Sequence, residues 1–250
     1  MTAALETSHL VKRFGGLAAV NDVSFRLEKG ARQALIGPNG SGKTTFINLL
    51  TGALPPTSGS VVLESRDVTA LAPDRRARLG LARTFQISQL FLSLTPLEAL
   101  ALAAYERQGL GGRAFLTLAG ARHIASEVAE IADQFALTDV LDQAVSTLPY
   151  GKQRLLEIAL AFASRPRVLL LDEPAAGIPE SERQDILAAI ARLPADVSIL
   201  LIEHDMDLVF RFASRISVFS AGSLLTEGSV EEVSRDPRVR AIYLGEELHV

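Results

Sequence analysis

The chain has 250 residues, of which 48% are apolar, 22% charged and 6% aromatic. That suits one large self-folding domain, or a domain carrying a lobe, and is neither a disordered nor a fibrous composition. Its 25 basic and 29 acidic residues leave a formal charge of −4, and it has no cysteine and only four scattered histidines. The charge balance removes the basic footprint of a dedicated nucleic-acid binder. The missing thiols exclude a disulfide scaffold and a thiolate metal site, and the scattered histidines argue against a structural zinc.

The first eight residues, MTAALETS, have neither a basic n-region nor an apolar h-region, so no signal peptide is expected. Residues 10–27 alternate polar and apolar, as in Val23-Ser24-Phe25-Arg26-Leu27, and fold around Gly15-Gly16; they read as a β-ribbon. Ala34-Leu35-Ile36 is a compact apolar run ending in glycine, followed by Phe46, Ile47, Leu49 and Leu50 at helical spacing and closed by Gly52: strand, loop, helix. After a strand at 60–63, residues 90–148 are rich in Ala and Leu without alternation and read as a helical lobe. Its entry is Thr95-Pro96-Leu97-Glu98, where Thr caps, Pro suits the first turn and Glu reaches back to the cap's N–H.

A helix at 152–164, Pro166 and a buried strand at 168–171 follow. Ile186, Leu187, Ile190 and Leu193 form a helical stripe stopped by Pro194, and 198–202 is a second apolar strand. Strands alternating with helices imply a parallel sheet and an α/β fold. Residues 216–219 and 224–226 flank Ala221-Gly222 as a hairpin, and Ser229 with Glu232 forms a capping box for a last short helix. Apolar stretches such as 100–105 and 168–171 fall far short of the roughly 20 residues of a membrane span. A cytosolic chain is expected, free to dock on another protein's membrane domain.

Two motifs carry chemistry. Gly37-Pro38-Asn39-Gly40-Ser41-Gly42-Lys43-Thr44-Thr45 fits G-x-x-x-x-G-K-(S/T) and lies between a buried strand and a helix. Its glycines let the backbone curl so that N–H groups point at phosphate oxygens, and the helix start adds partial positive charge. Lys43 is placed to reach the β- and γ-phosphates and Thr44 to ligate Mg2+; the bland alternative is a glycine-rich turn before an amphipathic helix. The strand at 168–171 ends in Asp172 and Glu173, at the edge of a parallel sheet where ligands of such folds bind. Asp172 is placed to hold Mg2+ and Glu173 to polarise an attacking water; alone, the pair also reads as a solvated acidic turn.

With these motifs in order, the chain resembles the nucleotide-binding subunit of ABC transporters over nearly its full length. The resemblance implies a P-loop NTPase (RecA-like) core with an N-terminal antiparallel β subdomain and an inserted α-helical subdomain. The expected bounds are one ABC ATPase domain at 1–250, its core and β subdomain at 5–87 and 155–228, the helical subdomain at 88–154 and a tail at 229–250. Gln86, in Arg83-Thr84-Phe85-Gln86, matches the glutamine that contacts magnesium and water. His204 matches the switch histidine at the γ-phosphate, and Phe14 the aromatic that stacks on adenine. The family signature appears as Leu148-Pro149-Tyr150-Gly151-Lys152-Gln153, with Tyr150 and Gly151 facing a nucleotide held by another subunit. Two departures stand out. Pro149 removes a hydroxyl and a backbone N–H from the signature, and Pro179 stands where the family has an Asp in the loop linking the two sites of a dimer.

The wording is closest to ATPases of branched-chain, or more broadly hydrophobic, amino-acid uptake, through Arg83-Thr84-Phe85-Gln86, Tyr150-Gly151-Lys152-Gln153-Arg154, Asp172-Glu173-Pro174-Ala175-Ala176-Gly177, His204-Asp205-Met206 and the ending Val239-Arg240-Ala241-Ile242-Tyr243-Leu244-Gly245. The resemblance implies an ATPase using ATP and Mg2+ to drive solute uptake. It would sit peripherally on the cytoplasmic face of the inner or plasma membrane. Its partners would be a second ABC ATPase (a heterodimer expected, a homodimer left open), transmembrane permease subunits and, indirectly, a periplasmic or extracellular solute-binding protein, with no nucleic acid. Residues 87–94, with Leu90, Phe91, Leu92 and Leu94, would offer a groove to a permease helix or else be core. The alternatives are another uptake or lipid-export ATPase, a soluble P-loop kinase, and an ABC-type clamp or regulator.

Overall fold

The computed structural model describes residues 3–84, 90–109 and 118–244. In chain order the elements are β1 (Ala3–Phe14), β2 (Leu17–Glu28), β3 (Arg32–Ile36), α1 (Lys43–Thr51), β4 (Ser58–Leu63), β5 (Arg66–Asp67), α2 (Pro73–Arg78), β6 (Leu81–Arg83), α3 (Pro96–Arg107), α4 (Leu118–Gln134), α5 (Tyr150–Ala163), β7 (Val168–Asp172), α6 (Glu180–Ala191), β8 (Ser198–Ile202), α7 (Met206–Phe212), β9 (Arg215–Ser220), β10 (Ser223–Gly228), α8 (Val230–Arg235) and α9 (Pro237–Leu244). They form two compact units. One comprises Met1–Leu81, Arg167–Glu173 and Ala195–Val250; the other comprises Ala82–Pro166 and Pro174–Pro194. Among the described residues no helix is long and apolar enough to cross a membrane.

The first unit holds two sheets. In one, β2-β1-β4-β5 pair antiparallel, and the alternation read from residues 10–27 buries Val20, Val23, Phe25 and Leu27. The β1–β2 register shifts near His9 and Asp22, both at positive φ. Buried Thr7 fills the irregularity, its hydroxyl donating to the Val23 carbonyl at 2.9 Å and accepting the Phe25 N–H at 3.0 Å. Such bulges bend a strand and increase its twist.

In the second sheet β10-β9-β3-β8-β7 lie side by side, β3 parallel to both β8 and β9, β7 parallel to β8, and β10 an antiparallel edge. Every residue of β7 and β8 is buried, as expected of parallel strands covered on both faces. Helix α1 docks through Phe46, whose ring meets Phe25 edge-on at 5.5 Å and Phe219 at 4.9 Å. These contacts fix where the start of α1 points.

The far end of α1 is held by a residue with no counterpart in the sequence reading. Arg76 on α2 is 1% exposed. Its guanidinium donates to the carbonyls of Leu49 and Leu50 at 2.7 Å, Thr69 at 2.9 Å and Leu71 at 3.0 Å. The Leu49 and Leu50 oxygens belong to the last turn of α1, whose carbonyls lack the usual i+4 donors; the Gly52 N–H also reaches Leu49 O, at 3.3 Å.

The second unit is helical. α3 opens with the expected capping box: Glu98 N–H donates to Thr95 Oγ1 at 3.2 Å and Thr95 N–H to Glu98 Oε2 at 2.9 Å. α3 and α4 are tied by the buried Glu127 carboxylate, which accepts from Arg107 at 2.7 and 2.5 Å and from Arg165 at 3.0 Å. The other expected capping box, Ser229 with Glu232, opens α8 in the first unit.

Replacing Arg76 by Met is expected to cost about 3 kcal/mol of stability, because several buried carbonyl oxygens lose a charged donor together. A urea unfolding midpoint unchanged by Arg76→Met would show that water or neighbouring groups satisfy those oxygens instead.

Candidate functional site

Sheet order decides which residues meet. β3, β8 and β7 are adjacent and parallel, so their carboxyl ends lie on one edge, where open α/β sheets bind ligands. β3 runs into the 37–42 loop, β8 into Glu203 and His204, and β7 into Asp172 and Glu173.

The 37–42 loop is built around two glycines. Gly37 has φ 154° and a Cβ there would lie 2.3 Å from the Phe219 carbonyl oxygen. Gly42 is the N-cap of α1, with φ 104°, and a Cβ there would lie 2.4 Å from the Ala19 carbonyl oxygen. Only glycine fits either position. Backbone bonds brace the loop: Ser41 N–H donates to Pro38 O at 3.1 Å, Gly222 N–H to Ser41 O at 2.8 Å, and Asn21 N–H to Gly222 O at 2.7 Å. The turn of the β9–β10 hairpin thus clamps the loop to β2.

No side chain caps α1 and no acid stands in its first turn, so nothing of its own competes for the N–H groups that an incoming anion would take. Ser41 Oγ is buried without a hydrogen-bond partner. The Lys43 ammonium donates to Gly37 O at 2.6 Å and Pro38 O at 3.1 Å. Burial pushes its pKa below the usual lysine value, while Glu173 and then Asp172 push it back up. The cation and both acids therefore share one electrostatic neighbourhood. A curled loop of N–H groups, an orphaned hydroxyl and a desolvated lysine together suit a polyphosphate.

Opposite stand the acids. Asp172 is buried at the end of β7, in register with Ile202. Glu173 has φ 45° and donates its N–H to Ile202 O at 2.9 Å. A non-glycine residue in the left-handed region costs of order 1 kcal/mol, and the bond to β8 holds it there. His204 Nδ1 is 3.9 Å from Glu173 Oε1 and 3.8 Å from Glu203 Oε2. Its own N–H donates to Glu203 Oε2 at 3.3 Å, so the buried Glu203 carboxylate sets the backbone from which the imidazole projects. Sequence reasoning missed Glu203; the signal was a carboxylate closing an otherwise apolar strand.

Phe14 ends β1, 49% exposed, and pairs across the turn with Leu17. Ala19, farther along β2, touches the 37–42 loop through the close approach at Gly42. Lys43, Thr44 and Thr45 form the first turn of α1, with Asn39 and Gly40 in the loop before it. Gln86 and its neighbours Ile87 to Gln89 lie outside the described residues.

In the helical unit α5 starts at Tyr150, two residues earlier than its sequence pattern suggests, because Pro149 at φ −54° serves as N-cap. Gly151 therefore lies within the first turn, where a Cβ would be 2.1 Å from Glu182 Oε2. Tyr150 is 49% exposed, with its ring against Gly177. The 174–178 segment is held by two guanidinium groups: Arg154 donates to Pro174 O and Arg183 to Ile178 O, each at 3.0 Å. Pro179 repeats the role of Pro149 as N-cap of α6. Neither proline offers a side-chain acceptor to its helix.

A P-loop at the end of a central parallel strand, faced by strand-end acids and a histidine, defines the class as a P-loop nucleotide-binding protein. Comparison with known proteins narrows this. The family model described as ABC transporter matches residues 20–176, and that described as branched-chain amino acid ATP-binding cassette transporter matches residues 223–249. The high-affinity branched-chain amino acid transport ATP-binding protein BraF of Pseudomonas aeruginosa is 41% identical over 249 residues, covering 97% of this chain and 98% of BraF. The corresponding LivG protein of Salmonella typhimurium is 40% identical, with the same coverage. Among solved structures, the ADP conformation of MJ1267, an ATP-binding cassette of an ABC transporter, is 31% identical with a TM-score of 0.82, covering 98% of this chain and 100% of that one. The chain belongs to the ABC transporter family, as one of its ATP-binding cassettes, ATPases whose turnover is coupled to transport, and within it to the group that includes BraF and LivG. This sets aside the soluble-kinase alternative.

Gly42→Ala adds a side chain both to a left-handed backbone and to a close contact. It is expected to cost about 2 kcal/mol and to abolish the thermal stabilisation that ATP gives the unmodified chain. A variant with unchanged melting behaviour, with and without ATP, would mean that the loop is free to rearrange.

Proposed function

We propose that this chain is the ATP-hydrolysing subunit of an uptake system for branched-chain or other hydrophobic amino acids. It works as one of two cassettes bound to a membrane permease at the cytoplasmic face. The observation that carries the reading is the convergence of Lys43, Asp172, Glu173 and His204 on one sheet edge, in a chain similar along its whole length to BraF and LivG.

In this reading the loop N–H groups of Gly37, Asn39, Gly40 and Gly42, with the Ser41 hydroxyl, Thr44 and Thr45, hold the phosphates. Lys43 exchanges the Gly37 and Pro38 carbonyl oxygens for the β- and γ-phosphates, and Phe14 stacks on adenine. Among the described residues no cluster of three or more His, Asp or Glu could hold a metal by itself. The available donors are instead a hydroxyl and a carboxylate, Thr44 and Asp172, the kind of partial oxygen set that Mg2+ completes with phosphate oxygens and water. Bound there, Mg2+ would supply charge neutralisation at the phosphates. Glu173 takes the proton of the attacking water, and His204 donates to the γ-phosphate. Gln86 is assigned to the water and the cation on family resemblance alone.

The start of α5, with Tyr150 and Gly151, serves the nucleotide of the other cassette, so hydrolysis needs two subunits arranged head to tail. Because Pro149 and Pro179 weaken only this chain's contribution, a different cassette with a fuller signature is the favoured partner. Phe91 and Leu92, 71% and 54% exposed, offer apolar surface for a permease helix. The transported solute reaches the permease from a separate binding protein and never touches this chain.

Glu173→Gln is expected to retain ATP, lower hydrolysis by a factor of about 10²–10⁴ and accumulate a nucleotide-bound dimer by size-exclusion chromatography. Lys43→Ala is expected to weaken ATP binding tenfold or more, on the order of 1.4 kcal/mol. Near-normal turnover of both variants with their permease would refute the assignment. Pro149→Ser, which restores the hydroxyl, is expected to raise turnover of the assembled transporter; no change would show that the pairing does not depend on it.

A further inference from the structure

We propose that Lys12 is a positioning residue for the nucleotide base, acting through Phe14: its ammonium, held over the ring, anchors Phe14 and tunes the ring as a stacking platform. The inference rests on the reading of Phe14 as the adenine platform and deepens it.

Lys12 Nζ lies 5.3 Å from the Phe14 ring centroid, within the range of a cation–π contact. The same nitrogen donates to the Pro55 carbonyl at 2.7 Å, which keeps it there. The neighbouring backbone is stitched to the same segment: Arg13 N–H donates to Thr57 Oγ1 at 3.0 Å and Thr57 N–H to Val11 O at 2.7 Å. A half-exposed ring at the end of a strand would otherwise sample several rotamers. Here a cation over the ring and a fixed backbone restrict it before any ligand arrives.

Two consequences follow for a stacked base. A ring already ordered loses less freedom on binding. A cation on one side draws π density toward itself, so the other side repels the π cloud of an electron-rich purine less. The hairpin end that carries Phe14 also carries Ala19, whose carbonyl adjoins Gly42 of the phosphate loop, so platform and phosphate site belong to one ligand. With Nζ committed to Pro55 O and the ring, Lys12 acts on the base and not on the phosphates.

The test uses the full-length chain and two probes, ATP and inorganic tripolyphosphate, which has the charge but no base. Lys12→Met, which keeps the stem and removes the cation, is expected to weaken ATP binding about two- to fivefold and to leave tripolyphosphate binding unchanged, with Lys12→Arg restoring ATP affinity. In the assembled transporter KM for ATP rises by the same factor with kcat unchanged. In a Phe14→Leu background the Lys12→Met effect should vanish. Equal weakening of tripolyphosphate would make Lys12 a phosphate ligand and overturn the proposal. So would a full Lys12→Met effect in the absence of the ring, or weakening by Phe14→Leu with none by Lys12→Met, which leaves the platform standing without its lysine. If Phe14→Leu itself leaves ATP binding unchanged, the adenine platform falls and this inference with it.

Discussion

A half-buried ammonium must have acceptors within reach, and Lys43 is placed so that it does. The carbonyls of Gly37 and Pro38 hold it, and the carboxylates at the end of β7 offset the cost of its burial. A polyphosphate would replace those carbonyls with stronger acceptors, leaving the lysine nearly in place. The loop must therefore present oxygens inward at one end and N–H groups at the other. That demands backbone angles and close approaches only glycine tolerates at 37 and 42.

The rest of the first unit keeps that arrangement still. Phe46 locks α1 between Phe25 and Phe219, Arg76 fastens its far end, and the β9–β10 turn clamps the loop. Each restraint lies outside the surface proposed to face phosphate. Their joint effect is that donors stand in position before any ligand arrives, so less ordering entropy is lost on binding.

The parts legible in the sequence are those whose meaning is local. Lys43 follows its glycines directly, Asp172 and Glu173 close an apolar run, and the caps Thr95 and Ser229 announce themselves three residues before their glutamates. The order β9-β3-β8-β7 was only implied by strand and helix alternation, yet it alone decides that His204 meets Glu173. Arg76 was illegible because, among Asp74, Arg75 and Arg78, it reads as a solvated helix face. Its burial comes from carbonyls more than 20 residues away. Lys12 and Glu203 are a different case: their partners, Phe14 and His204, stand only two and one residues along the chain, but residue types alone do not say that the side chains meet. The start of α5 at Tyr150 was missed because proline reads as a break before it reads as a cap.

Glu173 occupies a backbone region that glycine or asparagine enters at lower cost. Random drift filtered only by folding would favour those two residues there. A glutamate at that angle means that the strand end carries a conformational cost, offset by the neighbouring strand through one hydrogen bond from the Glu173 N–H to the Ile202 carbonyl. Heat resistance and turnover would then pull this single position in opposite directions.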